Sequence, residues 1–274
     1  MTSRRLLASA ALAAAALVLA ACAGGPAGGR PSSTATTAGD QSLVRVKSAG
    51  ALVVGTEGTY RPFSYHADGS GDLTGYDVEV ARAVGKQLGV QVRFQETQWD
   101  AMFAGLEAGR FDMIANQVSI TPQRQKTYLF STPYTVSQGV VVVRDDESSI
   151  TSFASLSGKT TAQSLTSNWY TLAQDSGARV QAVEGWAQAV TLLQQRRVDA
   201  TINDKLTYLD YKKQTDAAGL KIAAETDEKS RSAFALRATD STLTQAVDQA
   251  LATLAADGTL AKISTEFFGE DVSH

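Results

Sequence analysis

Apolar and polar positions follow two distinct patterns along the chain from Leu43 onward. The short runs ALVVGTE, VQVRFQE and FDMIANQ have the length and the apolar content of strands. The longer segments YDVEVARAVGKQLG and WDAMFAGLEAGR repeat apolar residues at helical spacing, and Gly89 predicts the end of the first helix. Strands and helices that alternate in this order build a parallel sheet with right-handed crossovers. The pattern therefore predicts an α/β fold.

The same pattern begins again after the extended run GVVVVRDD. Three further strands are predicted in GKTTAQS, ARVQAVE and VDATIND, and three helices in NWYTLAQDSG, WAQAVTLLQQRR and KLTYLDYKKQ. A last extended run, SAFALR, precedes a long helical segment. We expect two lobes, each a sheet flanked by helices, joined by two crossing strands: residues 43–143 and 235–274 form lobe 1, and residues 144–234 form lobe 2. A cleft between two lobes is a common ligand site.

The N-terminus has the features of an export signal. Arg4 and Arg5 precede an apolar stretch, and small residues precede Cys22 in the sequence LAAC. This sequence resembles the lipobox of bacterial lipoproteins, in which cleavage before the cysteine accompanies lipidation of its thiol. We expect a signal peptide over residues 1–21 and a lipidated Cys22 that begins a flexible tether ending at residue 42. A signal peptide that contains a cysteine and is cleaved further on is the alternative, and the export route, Sec or twin-arginine, stays open.

Charge and composition narrow the possible partners. The 274 residues carry a formal net charge of −3, without a run of basic residues, so nucleic acid is not an expected partner. Apart from residues 6–21, no segment is apolar over enough residues to cross a bilayer. We therefore expect an extracytoplasmic protein that contacts the membrane only through its lipid anchor. Cys22 is the only cysteine, which excludes a disulfide and a multi-cysteine metal site within the chain.

Polar side chains gather after the predicted strand FDMIANQ. Ser119, Thr121 and Arg124 follow this strand, and the carboxyl ends of strands are where open α/β sheets bind ligands. An arginine guanidinium is a planar fork that can hold a carboxylate by two parallel hydrogen bonds. Pro122 fits the first turn of a short helix, whose backbone N–H groups remain free. The stretch therefore predicts a place where a carboxylate binds.

Longer motifs occur in a fixed order from residue 43 to the end of the chain. They are VGTEGTYRPFSY, GYDVEVARAV, WDAMFAGLEAGRFDMIANQVSITPQRQKTYLFSTPYT, ARVQAVEGWAQAVTLLQQRRVDATIND and LAADGTLAKISTEFFGEDVS. Together they resemble the polar amino-acid binding proteins of bacterial ABC importers, the family 3 solute-binding proteins. The segments ANQVSITPQRQKTYLFSTPYT, AQSLTSNW and VDATINDKLTYLDYKK are most similar to cystine-binding members. The resemblance implies a two-lobed periplasmic-binding-protein type II fold, a monomer, a permease partner and no cofactor.

The resemblance also implies where an amino-acid head group binds. Arg124 and Ser119 would hold its carboxylate, and Asp204 its ammonium group. Asp204 also suits the cap of the helix that follows it, a role that is compatible with ligand contact. The turn before the helix NWYTLAQDSG would present free N–H groups to the carboxylate. The residues of this turn are Thr166, Ser167 and Asn168.

Aromatic and acidic residues complete the predicted cleft. Tyr60 and Trp99 are expected to form its walls, with Phe63 as a weaker candidate, and Glu57 matches an acidic position of the family that can touch the ligand. The predicted ligand-binding residues are Glu57, Tyr60, Trp99, Gln117, Ser119, Arg124, Thr166, Ser167, Asn168 and Asp204.

Neutral amide side chains near this site suit a ligand whose far end is a zwitterion. They are Asn116, Gln117, Asn168 and Asn203. With the resemblance, this favours L-cystine, which carries a second zwitterionic head. The charges of Glu57 and Arg61 could instead favour a ligand with a basic or an acidic side chain, and glutamine would also suit the asparagines.

Two other classes of protein share parts of this pattern. Related two-lobed domains occur as dehydratases, but the chain offers only His66 and His274, a single cysteine and no glycine-rich phosphate loop. We therefore expect no catalytic residue and no metal, although Glu57 could act as a carboxylate base. A sensor domain would usually continue into a membrane span and a signalling module, so the ending GEDVSH favours transport.

Overall fold

The computed structural model describes residues 39–215 and 219–274. The predicted signal peptide and the predicted lipidation site, Cys22, lie outside the described residues, as does most of the predicted tether. The first helix, α1 (Ser42–Ala49), begins inside that predicted tether. The Oδ2 atom of Asp40 accepts hydrogen bonds from Thr242 N and Ser241 Oγ, and Ser42 is 1% exposed. The predicted boundary at residue 42 is therefore a few residues too late, because these polar contacts tie residues 40–42 to the fold.

The first half of the chain alternates strands and helices as predicted. Its elements are β1 (Ala51–Thr56), β2 (Thr59–Tyr60), β3 (Ser64–His66), β4 (Leu73–Thr74), α2 (Tyr76–Leu88), β5 (Gln91–Glu96), α3 (Trp99–Glu107), β6 (Met113–Ser119), α4 (Pro122–Gln125) and β7 (Tyr128–Phe130). Gly89 ends α2 with φ at +67°, a left-handed conformation that glycine adopts without a steric penalty. The short antiparallel sheet β2-β3-β4 forms the loop after β1, which the strand pattern did not predict.

The second half repeats the alternation and then returns to the first. Its elements are β8 (Thr135–Arg144), β9 (Thr160–Gln163), α5 (Asn168–Asp175), β10 (Arg179–Ala182), α6 (Trp186–Gln194), β11 (Ala200–Asp204), α7 (Lys205–Thr215), β12 (Leu220–Arg237), α8 (Ser241–Ala256) and α9 (Thr259–Phe268). Within the described part of the chain, no helix has the length and the hydropathy that crossing a membrane requires.

One continuous sheet runs through both halves in the order β10-β9-β11-β8-β12-β6-β1-β5, with β7 paired to β12. Strand β1 is parallel to β5 and β6, and β9 is parallel to β10 and β11. The two long central strands, β8 and β12, are antiparallel to each other. Each outer set of parallel strands has helices on its faces, so the prediction of an α/β fold with two lobes and two crossing strands is confirmed.

The crossing strands change partners between the lobes. Strand β12 pairs with β8 from Leu220 to Ser232 and with β6 from Ser232 to Leu236. On β8, Val140–Val143 pair with β11 and pack in the apolar clusters of lobe 2. The predicted lobe boundary at residue 143 is therefore several residues late, because an uninterrupted valine run gives no sign of where a strand changes its packing partner.

A buried carboxyl group connects three elements of lobe 1. Asp77, in the first turn of α2, is 0% exposed and accepts hydrogen bonds from Gln117 N and Gln117 Nε2. The same Nε2 donates to Thr135 Oγ1 on β8, at 3.0 Å. These contacts hold Gln117 at φ +48°, a left-handed conformation that is strained for a non-glycine residue. Burial raises the pKa of Asp77 to about 7, against the opposing effect of its hydrogen bonds from Gln117.

The raised pKa makes stability depend on pH in a defined direction. An unfolded aspartate is ionised above about pH 4, whereas folded Asp77 keeps its proton up to about pH 7. The folded state therefore binds more protons, and the free energy of unfolding falls as pH rises from 4 to 7, by at most about 1.4 kcal/mol per pH unit for this group. We expect urea denaturation to show a smaller fall between pH 5 and pH 7 in Asp77→Asn than in wild type.

The exposed Asp68→Asn variant provides the matched control for loss of one negative charge. Equal pH slopes in the Asp77→Asn and Asp68→Asn variants would contradict the assignment to Asp77.

Candidate functional site

A cavity of about 240 Å³ lies between the lobes. Lobe 1 lines it with residues at the ends of β1 and β6 and the start of α3, and lobe 2 lines it with residues at the ends of β9 and β11 and the starts of α5 and α6. The lining residues that carry aromatic, amide or carboxyl groups are Glu57, Tyr60, Gln98, Trp99, Asn116, Gln117, Gln163, Asn168, Trp169, Glu184, Trp186, Gln188 and Asn203.

Two aromatic walls are held from opposite lobes. Tyr60 donates from its hydroxyl to Asn203 Oδ1 at 2.8 Å and accepts from Thr207 Oγ1 at 3.2 Å, so it bridges the cleft. Burial, and next the charge of Asp204, hold the Tyr60 pKa well above its usual value, so the hydroxyl keeps its proton. On lobe 2, Gly139 allows the ring of Trp169 to pack on β8, because a Cβ there would lie 2.5 Å from the indole.

Glu57 is the carboxyl group that the first lobe brings to the cavity. Its backbone N–H donates to Asn116 Oδ1 at 2.9 Å, and Asn116 Nδ2 donates to Glu57 Oε2 at 2.5 Å. Burial raises the Glu57 pKa to about 7, and the charge of Asp100 raises it further. Hydrogen bonds from the Asn116 side chain and from the backbone N–H of Trp99 act in the opposite direction. The carboxyl group is therefore poised to change its charge near neutral pH, and an ammonium group beside it would favour the ionised form.

Arg124 lies next to the cavity but not in its wall. Its Nη1 donates to Ser119 O at 3.0 Å and its Nη2 donates to Thr166 O at 3.3 Å. The guanidinium carbon is 5.2 Å from the ring centroids of Trp99 and Phe103, within cation–π range. Burial lowers the Arg124 pKa to about 10, so the side chain stays charged at neutral pH.

The turn at Thr166 in lobe 2, which is predicted to hold the ligand carboxylate, binds the carboxylate of Asp100 from lobe 1. Thr166 N and Thr166 Oγ1 donate to Asp100 Oδ1 at 2.9 Å and 2.8 Å, and Leu165 N donates to Asp100 Oδ2 at 3.4 Å. Ser167 caps α5 by accepting from Tyr170 N at 3.0 Å. The geometry of the turn therefore suits a carboxylate, and no sequence pattern indicated that Asp100 would reach it from the other lobe.

Asp204 is 3% exposed at the end of β11. Its Oδ1 accepts from Ser137 Oγ at 2.7 Å and from Leu206 N at 2.8 Å, so the predicted cap of α7 is present. Burial raises the Asp204 pKa to about 6, against the effect of these two hydrogen bonds. Within the described residues, no hydrogen bond is made by its Oδ2.

The predicted site residues therefore divide into two groups. Those in the cavity wall are Glu57, Tyr60, Trp99, Gln117, Ser167 and Asn168. Those beside a wall residue, but not in the wall, are Ser119, Arg124, Thr166 and Asp204. Phe63, the weaker candidate, is 0% exposed and packs in the core of lobe 1, where Tyr60 is 5.1 Å away between ring centroids. The role of the ten residues in binding stays a prediction.

Sequence reasoning missed a large part of the lobe 2 wall. Gln163 is the last residue of β9 and Ser164 follows it, and Trp186 begins α6 after the short loop that follows β10. The rule that ligands bind at the carboxyl ends of strands applies to these positions as well, so the same reasoning could have found them. Within residues 39–215 and 219–274, no cluster of three or more His, Cys, Asp or Glu side chains could hold a metal ion.

Several contacts cross the cleft and hold the lobes together. Tyr60 bonds to Asn203, Asp100 and Arg124 both bond to Thr166, and Arg61 Nε lies 3.5 Å from Asp210 Oδ2. The lobes are therefore closed on each other in this structure.

Comparisons with known proteins agree with this geometry. The L-cystine-binding protein TcyA of Bacillus subtilis is 52% identical over 83% of this chain and 85% of its own length. The L-cystine solute receptor of Neisseria gonorrhoeae, in an unliganded open conformation, is 48% identical over 85% of this chain and 98% of its own, with a TM-score of 0.56. An ancestral arginine-binding protein bound to arginine is 34% identical over 80% of this chain and 99% of its own, with a TM-score of 0.75.

Of these two structures, the cystine receptor has the higher sequence identity but the lower TM-score. A rotation of one lobe against the other lowers a score computed over both lobes, whatever the identity of the sequences. The lobe arrangement of this protein is therefore closer to that of the arginine-bound protein, in agreement with its contacts across the cleft.

The shared fold is the periplasmic-binding-protein type II fold, and the prediction of that fold is confirmed. The sequence pattern of the bacterial extracellular solute-binding proteins, family 3, matches residues 52–270. Together with the relatives of 48–52% identity, this confirms the predicted resemblance: the chain belongs to the family 3 extracellular solute-binding proteins of bacteria.

Proposed function

We propose that this protein binds L-cystine between its lobes and delivers it to an ABC importer. The observation that carries the proposal is the cavity at the strand ends of both lobes, with Arg124 and Asp204 beside it. The names of the relatives support it, since TcyA and the Neisseria receptor are both described as binding L-cystine. The closed lobes would enclose the ligand, as expected for a binding protein that must remove a zwitterion from water.

The first amino-acid head would bind near Arg124. The turn at Thr166 already bonds one carboxylate, that of Asp100, through both a backbone N–H and a hydroxyl group. A ligand carboxylate placed between this turn and the guanidinium of Arg124 would receive charge-assisted hydrogen bonds from both lobes. The Oδ2 atom of Asp204 would accept from the ligand ammonium group, since its Oδ1 is already occupied by Ser137 and Leu206.

The middle of the ligand would lie against aromatic rings. Tyr60 and Trp99 approach from lobe 1 and Trp169 and Trp186 from lobe 2, so methylene groups and a disulfide would contact apolar surface on both sides. The lining is mainly amide and aromatic, which suits a ligand without a net charge.

We further propose an extracytoplasmic lipoprotein that acts as a monomer and docks on a permease without catalysing a reaction. The family name describes extracellular solute-binding proteins, which supports the location. The LAAC sequence before the tether supports a lipid on Cys22, because acyl chains provide the membrane affinity of an otherwise soluble domain.

Ligand specificity is tested by a thermal-shift and calorimetry panel of L-cystine, glutamine, arginine, lysine and glutamate. A ligand that binds only the folded state raises the melting temperature in order of affinity, so L-cystine should raise it most at matched concentration. A clearly larger shift with glutamine or arginine would reject the cystine assignment and keep the amino-acid assignment.

Head-group binding is tested by Arg124→Ala and Asp204→Asn. Each leaves a desolvated ligand charge unpaired, which costs on the order of 2–5 kcal/mol, or roughly thirty-fold or more in affinity. The exposed Arg93→Ala variant on β5 is the matched control and should bind as wild type does. If calorimetry found either site variant within about twofold of wild type at equal folding, that residue would not be in the site.

Lipidation is tested by metabolic labelling of cells with a fatty acid. Wild type and a tether control, Ser32→Ala, should take up label, whereas Cys22→Ala should not and should be released or left uncleaved. Persistent labelling of the Cys22→Ala variant would reject the proposed anchor.

A further inference from the structure

Arg61 is a charged side chain near the cleft to which the proposed function assigns no role. It follows Tyr60 in the loop after β1, but, unlike Tyr60, it does not line the cavity. Its guanidinium group lies against lobe 2 instead, with Nε 3.5 Å from Oδ2 of Asp210 on α7. Asp210 does not line the cavity either. Two opposite charges from different lobes therefore meet outside the space that a ligand would occupy.

The surroundings of Arg61 hold its guanidinium group toward Asp210. The Arg61 Cζ atom is 3.8 Å from the ring centroid of Tyr65 on β3, within cation–π range. This stacking restricts the arginine before any pairing, so less conformational entropy is lost when the ion pair forms.

The pair is only partly exposed to water. The Asp210 side chain is 12% exposed, and Arg61 is the only cation within ion-pair distance of it in the described residues. The Arg61 side chain is 41% exposed, but its Nε is buried and has no hydrogen-bond partner in the described part of the chain. Partial burial weakens screening by water and salt, so this pair contributes more than a fully exposed pair would.

The ion pair continues a line of contacts along one face of α7. Thr207 Oγ1 donates to the Tyr60 hydroxyl at 3.2 Å. Thr207 and Asp210 are three residues apart on this helix and therefore lie on the same face. Two consecutive residues of the lobe 1 loop, Tyr60 and Arg61, thus contact α7 at neighbouring positions of that face. Separation of the lobes would break both contacts, and only Tyr60 is placed to touch a ligand.

We propose that Arg61 and Asp210 form an ionic latch of the closed lobes, which prolongs the retention of a bound amino acid without contacting it. The pair joins the two lobes, so it lowers the free energy of the closed state and not that of an open state. A ligand enclosed between the lobes leaves only after they open, and the latch therefore slows its release. This inference goes beyond the proposed function, since it holds for any amino acid that the cleft encloses.

The test measures association and dissociation rate constants by stopped-flow fluorescence, with L-cystine as the probe. Three tryptophans line the cavity, Trp99, Trp169 and Trp186, so intrinsic fluorescence reports on binding without an added label. If L-cystine does not bind, the probe is whichever of glutamine, arginine, lysine and glutamate raises the melting temperature most.

Two substitutions remove one charge each. Arg61→Met keeps an apolar stem over Tyr65, and Asp210→Asn keeps the size of the side chain. Each should raise the dissociation rate constant about threefold and leave the association rate constant nearly unchanged, because the pair forms only after the lobes have met. Arg93→Met on β5 and Asp175→Asn at the end of α5 are the exposed matched controls and should match wild type.

Three further readouts distinguish a latch from a general structural role. The double variant Arg61→Met/Asp210→Asn should release ligand no faster than either single variant, since the first substitution already breaks the pair. An increase in NaCl from about 50 mM to about 500 mM should speed release more in wild type than in the single variants. The threefold effect should be the same for a second amino acid of different side-chain charge.

Each contrary result would overturn the latch. Dissociation rate constants equal to those of the controls, additive effects in the double variant, or equal salt dependence in wild type and variants would each do so. An effect of Arg61→Met that changes with the charge of the ligand would show that Arg61 contacts the ligand directly. If Arg61→Met does not fold, Asp210→Asn and its Asp175→Asn control still decide.

A ligand-free measurement separates failure of the latch from failure of the proposed function. If none of the five amino acids binds, the proposed function is wrong, and the latch is judged on lobe closure alone. Fluorescence energy transfer between dyes on Gln87→Cys in lobe 1 and Gln195→Cys in lobe 2, in a Cys22→Ala chain, reports the closed fraction. That fraction should be smaller with Arg61→Met than with Arg93→Met, and equal fractions would overturn the latch.

Discussion

The antiparallel pairing of β8 with β12 is the constraint on which the rest of the structure depends. These two strands connect the lobes and belong to one continuous sheet, in which the outer strands of each lobe are parallel. Because the sheet continues from one lobe to the other, the carboxyl ends of β1 and β6 face those of β9 and β11 across a cleft. Polar loops that follow separate strands are thereby brought into one cavity. A hinge motion at β8 and β12 is enough to open this cavity.

Burial of the charged groups in and beside this cleft costs solvation free energy, which their hydrogen bonds only partly offset. Burial raises the pKa values of Glu57, Asp77 and Asp204 to between about 6 and 7, and lowers that of Arg124 to about 10. Asp77 is used inside lobe 1, where it holds Gln117 in a strained conformation at the cavity wall. Asp100 and Thr166 pair across the cleft instead. A zwitterionic ligand fits such a site because it brings one charge of each sign and leaves the net charge unchanged.

Relatives place the protein in its family, but the selectivity within that family is a matter of particular side chains. The arginine-bound ancestral protein and the cystine receptor share this fold with the chain, at 34% and 48% identity. What differs between ligands is the end remote from the amino-acid head, so the residues that decide are those beyond the head group. In this protein both lobes contribute to the cavity wall, lobe 1 through Glu57 and lobe 2 through Gln163 and the start of α6, among others.

The sequence by itself determined the strand and helix order, the two-lobed α/β class and the family, because hydrophobic periodicity and ordered local motifs are properties of neighbouring residues. Tyr60, Trp99 and Gln117, which the sequence and its resemblance to the family predicted as cleft residues, line the cavity, and their part in binding stays a prediction. Only the tertiary structure decided that Val140–Val143 pack with lobe 2, that Asp100 reaches the Thr166 turn, and that Gln163 lines the same cavity as the first turn of α6. These are contacts between residues far apart in the chain, and they depend on how the crossing strands set one lobe against the other, which no local pattern encodes.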